Sequence, residues 1–520
     1  MPNPRLLFRN ANIITLNDRL PTVDSVMIEG SKILHVGKNL EPAPGTRVFD
    51  LEGATIVPGL TDAHVHLANF GRFLEELQLV GLPSEQQVAN LVEEATRQIP
   101  AGQWILGRGW DQNRWPDGFP QAEILNQIAP DHPVLLIRID GHAGWVNKAA
   151  WHHAGLDPQQ EIDGGRVINQ CVLLDNALDP FLKIVPSPSD DDIRRYLISG
   201  SRTFAERGLT AVHDVWQDRR IIRILQELIK EDKIPLRIYG MLAYNDPELL
   251  AQYFSAGPFQ TPQYVLRGVK AFIDGALGSR GAALLEPYEG EPGNIGFLVT
   301  APEELTDLAR RCMSAGFQLN THAIGDRAVR TVLDIYEKVL GDNRNHRWRI
   351  EHVQVLHDDD LPRFARLGIL PSMQPSHYTS DMPWLSTRLG SHRTDRISRI
   401  ASLIRSGIKV PGGSDCPIET GDPILEYYAA VSRQEINGHP QGGWNPKERV
   451  EPLDALRMLT SWAAYSGFQE HTRGQIKPGF DADLTVLNTD ITAVPFAEIP
   501  KTKVVMTVMN GRITYLNTRI

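Results

Sequence analysis

A (β/α)8 barrel carrying a small β-sandwich made from both chain ends is the architecture this sequence predicts, and three observations predict it. Helical stretches in the middle of the chain end in glycine and give way at once to an apolar strand. Short β-branched runs separated by turn formers fill the first 57 residues and return in the last 50. Histidines and aspartates fall at the ends of the middle strands, where barrels of this kind keep their chemistry.

The chain ends come first. "RLLFRNANIITL", "SVMIEGSKILHVG" and "TRVFDLEG" read as strands, with Glu29-Gly30-Ser31 as one of the turns between them. Near the other end "ADLTVLN" is a strand and "KVVMTVMNGRITYL" a hairpin, its Asn510-Gly511 able to take the two positive φ values of a tight turn. Neither end has strands enough to bury two layers alone. Residues 1–57 plus 470–520 are therefore expected to form one discontinuous sandwich, with a barrel over 58–469 inserted between them.

The middle repeats one unit. "DDIRRYLISGSRTFAERG" yields at Gly208 to "LTAVHDVW", and "APEELTDLARRCMSAG" yields at Gly316 to "FQLNTHAIGD". "LPRFARLG" yields at Gly368 to "ILPSMQPSH", and "DRISRIASLIRSG" at Gly407 to "IKVPGGSDCP". Glycine just past a helix lets the chain turn left-handed into the next strand. Adding "TIVPGLTDAHVHL", "PLRIYGMLAY", "YVLRGVKAFIDG" and "HRWRIEHVQVL" completes eight strands in βα alternation. An insertion, about 68–190, separates the first two, far longer than an ordinary βα connection, and is expected to be a functional lid or subdomain.

Composition narrows the partners. The 520 residues are 42% hydrophobic and 22% charged, with a net charge of −10, which argues against nucleic acid. Cys171, Cys312 and Cys416 form no CxxC pair and read as reduced thiols. No apolar run approaches the ~20 residues of a membrane span, and the N-terminus lacks the apolar core of a signal peptide. A cytoplasmic protein acting on a small molecule is expected, with homo-oligomerisation left open.

In "GLTDAHVHLANF" His64 and His66 stand two apart, so a strand would aim both at one space. Alone, the pair reads as satisfied polar residues at a strand end. Other strands add to it: His213-Asp214 on the second, Lys270 with Asp274 beyond on the fourth, His322 on the fifth, His352 on the sixth, Gln374 and His377 on the seventh, Asp415 on the eighth. His64, His66, His322, His352 and Asp415 make a nitrogen-and-oxygen set suited to Zn²⁺ or a similar divalent ion. Lys270 has two readings. One is an ion pair with Asp274 or Glu351. The other is a neutral amine that takes up CO₂, becoming a carbamate able to bridge two metals; one ion is expected otherwise.

"VPGLTDAHVHL", "VKAFIDGALGSR", "THAIGDRAV", "IEHVQ", "GSDCPI" and "GQIKPGFDADLTVL" together resemble the amidohydrolase superfamily, and more narrowly its YtcJ-like branch, which includes N-substituted formamide deformylase. The resemblance runs from about residue 5 to 515 and implies a metal-dependent hydrolase with a barrel flanked by a β-sandwich. By motif, His64 and His66 match the first histidine pair, Lys270 the carboxylated lysine, His322 and His352 the later histidines, and Asp415 the strand-eight aspartate. "LGRGWDQNRW" and "IDGHAGWVNKAA" match the branch's insertion.

The expected chemistry is hydrolysis of a non-peptide C–N bond, in a linear amide or N-substituted formamide, by metal-activated hydroxide. Asp415 would take the proton and pass it to the leaving nitrogen, its other reading being a helix N-cap. Trp110, Asp111, His142 and Trp145 in the insertion are candidate substrate contacts, the tryptophans reading also as core. Arg280 in "GALGSR" is a candidate for a substrate carboxylate or carbonyl, or a surface arginine. A deaminase or isomerase on the same scaffold, or a non-catalytic binding or regulatory relative, stands as the alternative.

Overall fold

The computed structural model describes residues 5–112, 115–116, 118–138, 143–159, 165–175 and 177–518. They fall into two compact units, Met1–Asn69 with Leu197–Ile520, and Phe70–Tyr196.

The first unit holds the barrel. Its strands β1 (Leu60–Val65), β2 (Leu209–Gln217), β3 (Arg237–Ala243), β4 (Tyr264–Phe272), β5 (Gln318–Ala323), β6 (Arg349–His352) and β7 (Leu370–Ser372) pair in parallel, each with the next. Residues 411–416 take the eighth place through single parallel bridges, Gly412 to Met373 on one side and Cys416 to Val65 on the other. The Gly413 N–H donates to Met373 O at 3.1 Å and the His66 N–H to Cys416 O at 2.9 Å, so the ring closes. Gly208, Gly316, Gly368 and Gly407 all have positive φ, and each turns its helix into the following strand.

The run "TIVPGLTDAHVHL" is two strands rather than one. Thr55–Pro58 belongs to a sheet of the chain ends, and the barrel begins at Leu60. Gly59 marks the crossing, where a Cβ would lie 2.3 Å from Thr210 Oγ1. Strand six is also shorter than its sequence implied. His352 and Val353 both take positive φ, 76° and 44°, and leave the ladder there.

Two further sheets lie in this unit. One orders Lys32–Gly37, Ser25–Glu29, Arg5–Arg9 and Arg47–Asp50. The other orders Arg512–Leu516, Val504–Met509, Leu484–Leu487, Thr55–Pro58, Asn12–Ile14 and Thr22–Val23, joining both chain ends. Phe8, Ile13, Val26 and Ile56 share one buried apolar cluster with Leu484, Val486 and Val508. Asn510 and Gly511 turn the final hairpin with φ of 54° and 73°.

The second unit lies in sequence between β1 and β2 and has its own mixed sheet, ordered Gly165–Ile168, Val172–Asp175, Ala143–Val146, Val134–Arg138, Ile105–Trp110 and Leu77–Gln78. Trp110, Trp115 and Trp145 pack into its core with ring centroids 5.8–6.4 Å apart. Among the described residues no helix is long and apolar enough to cross a membrane.

Candidate metal and active site

The C-terminal ends of the barrel strands converge on Asp415. Its Oδ1 lies 3.3 Å from His64 Nε2 and 3.2 Å from His66 Nε2, and its Oδ2 lies 3.9 Å from His377 Nε2. Two ligands each about 2.05 Å from a tetrahedral zinc stand about 3.3 Å apart. The His64–Asp415 and His66–Asp415 separations match that edge. Two trios have ligand atoms close enough to share an ion, His64–His66–Asp415 and His352–His377–Asp415. Asp415 Oδ1, His322 Nε2 and His377 Nε2 are buried and lack a hydrogen-bond partner, and buried polar atoms left so are costly unless something fills the space. The donor set therefore fits a divalent cation. Asp415 itself has φ of 57°, a strained value for a non-glycine residue, of the kind that gathers at functional sites. Its side chain caps no helix; Asp422 does that for Pro423–Ser432.

The imidazoles are oriented from behind. Glu351 Oε2 takes the Nδ1 side of His64 at 2.6 Å, and Gln374 Oε1 takes the Nδ1 side of His352 at 2.8 Å. Both contacts favour hydrogen on Nδ1 and leave Nε2 as the ligand atom. Glu351 is in turn gripped by Arg349, whose Nε lies 2.7 Å away, and Arg349 also reaches Ala63 O at 2.7 Å, Ser372 Oγ at 2.8 Å and His213 Nδ1 at 2.9 Å. Asp62 ties β1 to the eighth segment: its carboxylate accepts from the Ser414 hydroxyl at 2.6 Å and from the His64 N–H at 3.0 Å.

Burial would raise the Asp415 carboxyl, yet the His64 and His66 rings hold it well below the usual carboxylate range. Burial and the Lys270 charge push His64 down, but Asp415 and Glu351 outweigh them and its pKa is raised. A cation belongs in such a place. Burial pushes His322 down to about 3 and His352 well below its usual value, keeping both neutral and fit to ligate.

Lys270 lies fully inside the barrel, its Nζ 3.3 Å from His64 Nε2 and 4.8 Å from the Phe272 ring centroid. Among the described residues no ion pair includes it. Asp274 instead accepts backbone N–H groups from Ala283, Ile324 and Gly325, at 2.9–3.0 Å, and Glu351 is taken by Arg349 and His64. Burial lowers the Lys270 pKa to about 8.

His322 sits beside His352, ring centroids 4.6 Å apart, with Nε2 3.6 Å from Asp274, but belongs to neither trio. Arg280 meets Glu291, its Nε 2.8 Å from the carboxylate. In the second unit Trp110 donates to Leu136 O at 2.7 Å and Asp111 pairs with Arg138 at 3.1 Å, while Trp145 is fully buried. His142 lies outside the described residues.

Sequence reasoning did not assign roles to Arg349, Asp62 and Ser414, and named His377 and Gln374 without making them ligands. Two signals were present. Asp62, His64 and His66 alternate along one strand face, and so do Arg349 and Glu351 in the strand that ends at His352.

A parallel barrel whose strand ends gather histidines around a strained aspartate defines a hydrolase of the metal-dependent barrel type. The family model described as "Amidohydrolase family" matches residues 47–515, and the chain belongs to that family. It is 32% identical to YtcJ of Bacillus subtilis, named as an amidohydrolase, over 98% of this chain and 99% of that one. It is 27% identical to the N-substituted formamide deformylase of Arthrobacter pascens, covering 99% and 98% of the two chains. Among solved structures it resembles an uncharacterized metal-dependent hydrolase from Pyrococcus furiosus, at 28% identity and a TM-score of 0.79, over 94% of this chain and 100% of that one.

Proposed function

We propose that this protein hydrolyses a carbon–nitrogen bond other than a peptide bond, in a small linear amide or N-substituted formamide, with a divalent metal held by His64, His66 and Asp415 and by the neighbouring His352 and His322. The carrying observation is the unpartnered Asp415 Oδ1 within 3.3 Å of two histidine nitrogens. The relative named as an N-substituted formamide deformylase supports the substrate class. The ion, zinc by the character of its donors, would supply hydroxide from water near neutral pH and polarise the carbonyl under attack.

The chain's own groups do the rest. Glu351 and Gln374 keep the Nε2 lone pairs of His64 and His352 turned into the site. Asp415 takes up a proton from the attacking water and delivers it to the leaving nitrogen as the tetrahedral adduct collapses to acid and amine. Lys270, buried without a carboxylate partner and with its pKa lowered to about 8, is the amine we assign to carbamate formation. A carbamate would replace a costly buried cation with an anion able to bridge a second ion. The three buried free cysteines support a reducing, cytoplasmic setting.

The test pairs metal analysis with a substrate screen. Purified protein should hold at least one equivalent of divalent metal and lose activity to a strong chelator. It should hydrolyse N-formyl or N-acyl amines in preference to aminated heterocycles. An active preparation holding far less than one equivalent would refute the mechanism, and preference for aminated heterocycles would move the assignment to deamination.

A further inference from the structure

A line of aromatic rings leads away from the metal donors along the C-terminal ends of β2 to β5. Phe272, the last residue of β4, has its ring centroid 5.0 Å from that of His322 and 4.8 Å from Lys270 Nζ. Trp216, next to last in β2, follows at 5.2 Å from Phe272, and Tyr244, just past β3, at 5.8 Å from Trp216. The Tyr244 hydroxyl lies 3.2 Å from Thr300 Oγ1, which anchors the far end. Trp216, Tyr244 and Phe272 are each only half-buried.

Trp216 joins this line through a break in its strand. Val215 packs with Tyr239 and Met241, so strict alternation would turn the next side chain to the opposite face. Instead Val215 and Trp216 together stand opposite Met241 alone, between the pairs Asp214–Gly240 and Gln217–Leu242, and Trp216 takes φ of 70°. Such a bulge re-aims a side chain, and positive φ is costly in a residue this bulky. The bulge is clamped: Gln217 Nε2 donates to Asp214 Oδ2 at 2.6 Å, and the Tyr264 hydroxyl donates to Gln217 Oε1 at 2.6 Å. Packing alone does not account for the strain, because the ring it brings against Phe272 is left partly in water.

We propose that Trp216, Phe272 and Tyr244 form an apolar subsite beside the metal donors, which binds a flat aromatic substituent of the amide substrate. The exposed aromatic surface is completed when a ring lies against it, edge or face, at the spacing these side chains already keep among themselves. Ligand sites are commonly built this way, with aromatic walls next to a few fixed polar groups. The inference rests on the metal-dependent reading above and adds the substrate class to it.

The test uses zinc-loaded full-length protein and two probes that chelate through the same atoms, acetohydroxamate and 3-phenylpropanohydroxamate, the second carrying its ring on a flexible tether. Wild type should bind the phenyl probe at least about tenfold more tightly, the scale of one aromatic contact plus the apolar area it covers. Trp216→Ala should lose most of that preference and Trp216→Phe should keep part of it. Both should hold as much zinc as wild type and bind acetohydroxamate as wild type does. Equal affinity for the two probes in zinc-loaded wild type would overturn the proposal and leave the metal-dependent reading standing, as would a full preference that survives Trp216→Ala. Loss of zinc or of acetohydroxamate binding from both variants would make Trp216 a support of the metal site and overturn it too. Wild type that takes up no zinc would instead refute the metal-dependent reading itself, and this one with it.

Discussion

Glu351→Gln separates the two duties of the charge pair behind His64. The carboxylate faces His64 Nδ1 at 2.6 Å on one oxygen and lies 2.7 Å from Arg349 Nε on the other, and all three side chains are fully buried. Neutralising it leaves the Arg349 guanidinium inside the barrel with neutral partners alone, the glutamine amide, Ala63 O, Ser372 Oγ and His213. Breaking a buried pair from one side costs about 3–5 kcal/mol. The same change makes His64 a poorer ligand, and losing such an outer partner weakens metal binding about 10–100-fold, or about 1.4–2.7 kcal/mol. The two effects part company in Arg349→Met/Glu351→Gln, which removes both charges. Metal-free stability should recover toward wild type, because a neutral pair carries no stranded charge, while metal affinity stays low. Thermal unfolding of the metal-free protein reads the first quantity, and competition with a chelator of known affinity reads the second. Equal metal affinity in wild type and both variants would refute the argument that Glu351 orients and charges His64. A double variant as unstable as the single one would refute the stranded-charge argument.

Gly413→Ala should lower both stability and metal affinity, since its Cβ would lie 2.5 Å from the His64 N and 2.6 Å from Asp62 Oδ1; overpacking of this kind costs about 1–3 kcal/mol, and an unchanged melting temperature would contradict it. Asp214, buried beside Gln217 and the Leu67 N–H, has its pKa raised from 3.8 to about 6 by burial. Between those values the folded state holds the proton more tightly than the unfolded state, so this group's contribution to stability falls as pH rises from about 4 to 6. Denaturant midpoints of Asp214→Asn should therefore lose that downward slope, and profiles parallel to wild type would count against it. Protein equilibrated with ¹³C-bicarbonate should show a carbamate carbon in its NMR spectrum that Lys270→Ala abolishes; Lys270→Arg should lack it too, because guanidinium stays protonated.

Local chemistry wrote much of this molecule into its sequence. Helices that stop at Gly208, Gly316, Gly368 and Gly407 must turn left-handed there, and apolar strands that follow at once can only alternate with them. That pattern yields the barrel, and the barrel puts His64, His66, His352 and Asp415 at one end without any knowledge of distances. What tertiary structure decided was pairing. Asp274 looked as fit a partner for Lys270 as Glu351, being four residues on, yet its oxygens are taken by backbone N–H groups from β5's exit and the loop at Ala283. No spacing rule encodes that, because the donors lie 9–51 residues away in the chain. Arg349 likewise has no role that its place in the sequence assigns until closure of the ring places Ala63, Ser372 and His213 around it. The candidate ligands follow from residue type and strand period, which are local. Which nitrogen of a histidine faces the site, and which carboxylate stays free to hold a cation, depends on contacts that exist only once the eighth segment has met the first strand.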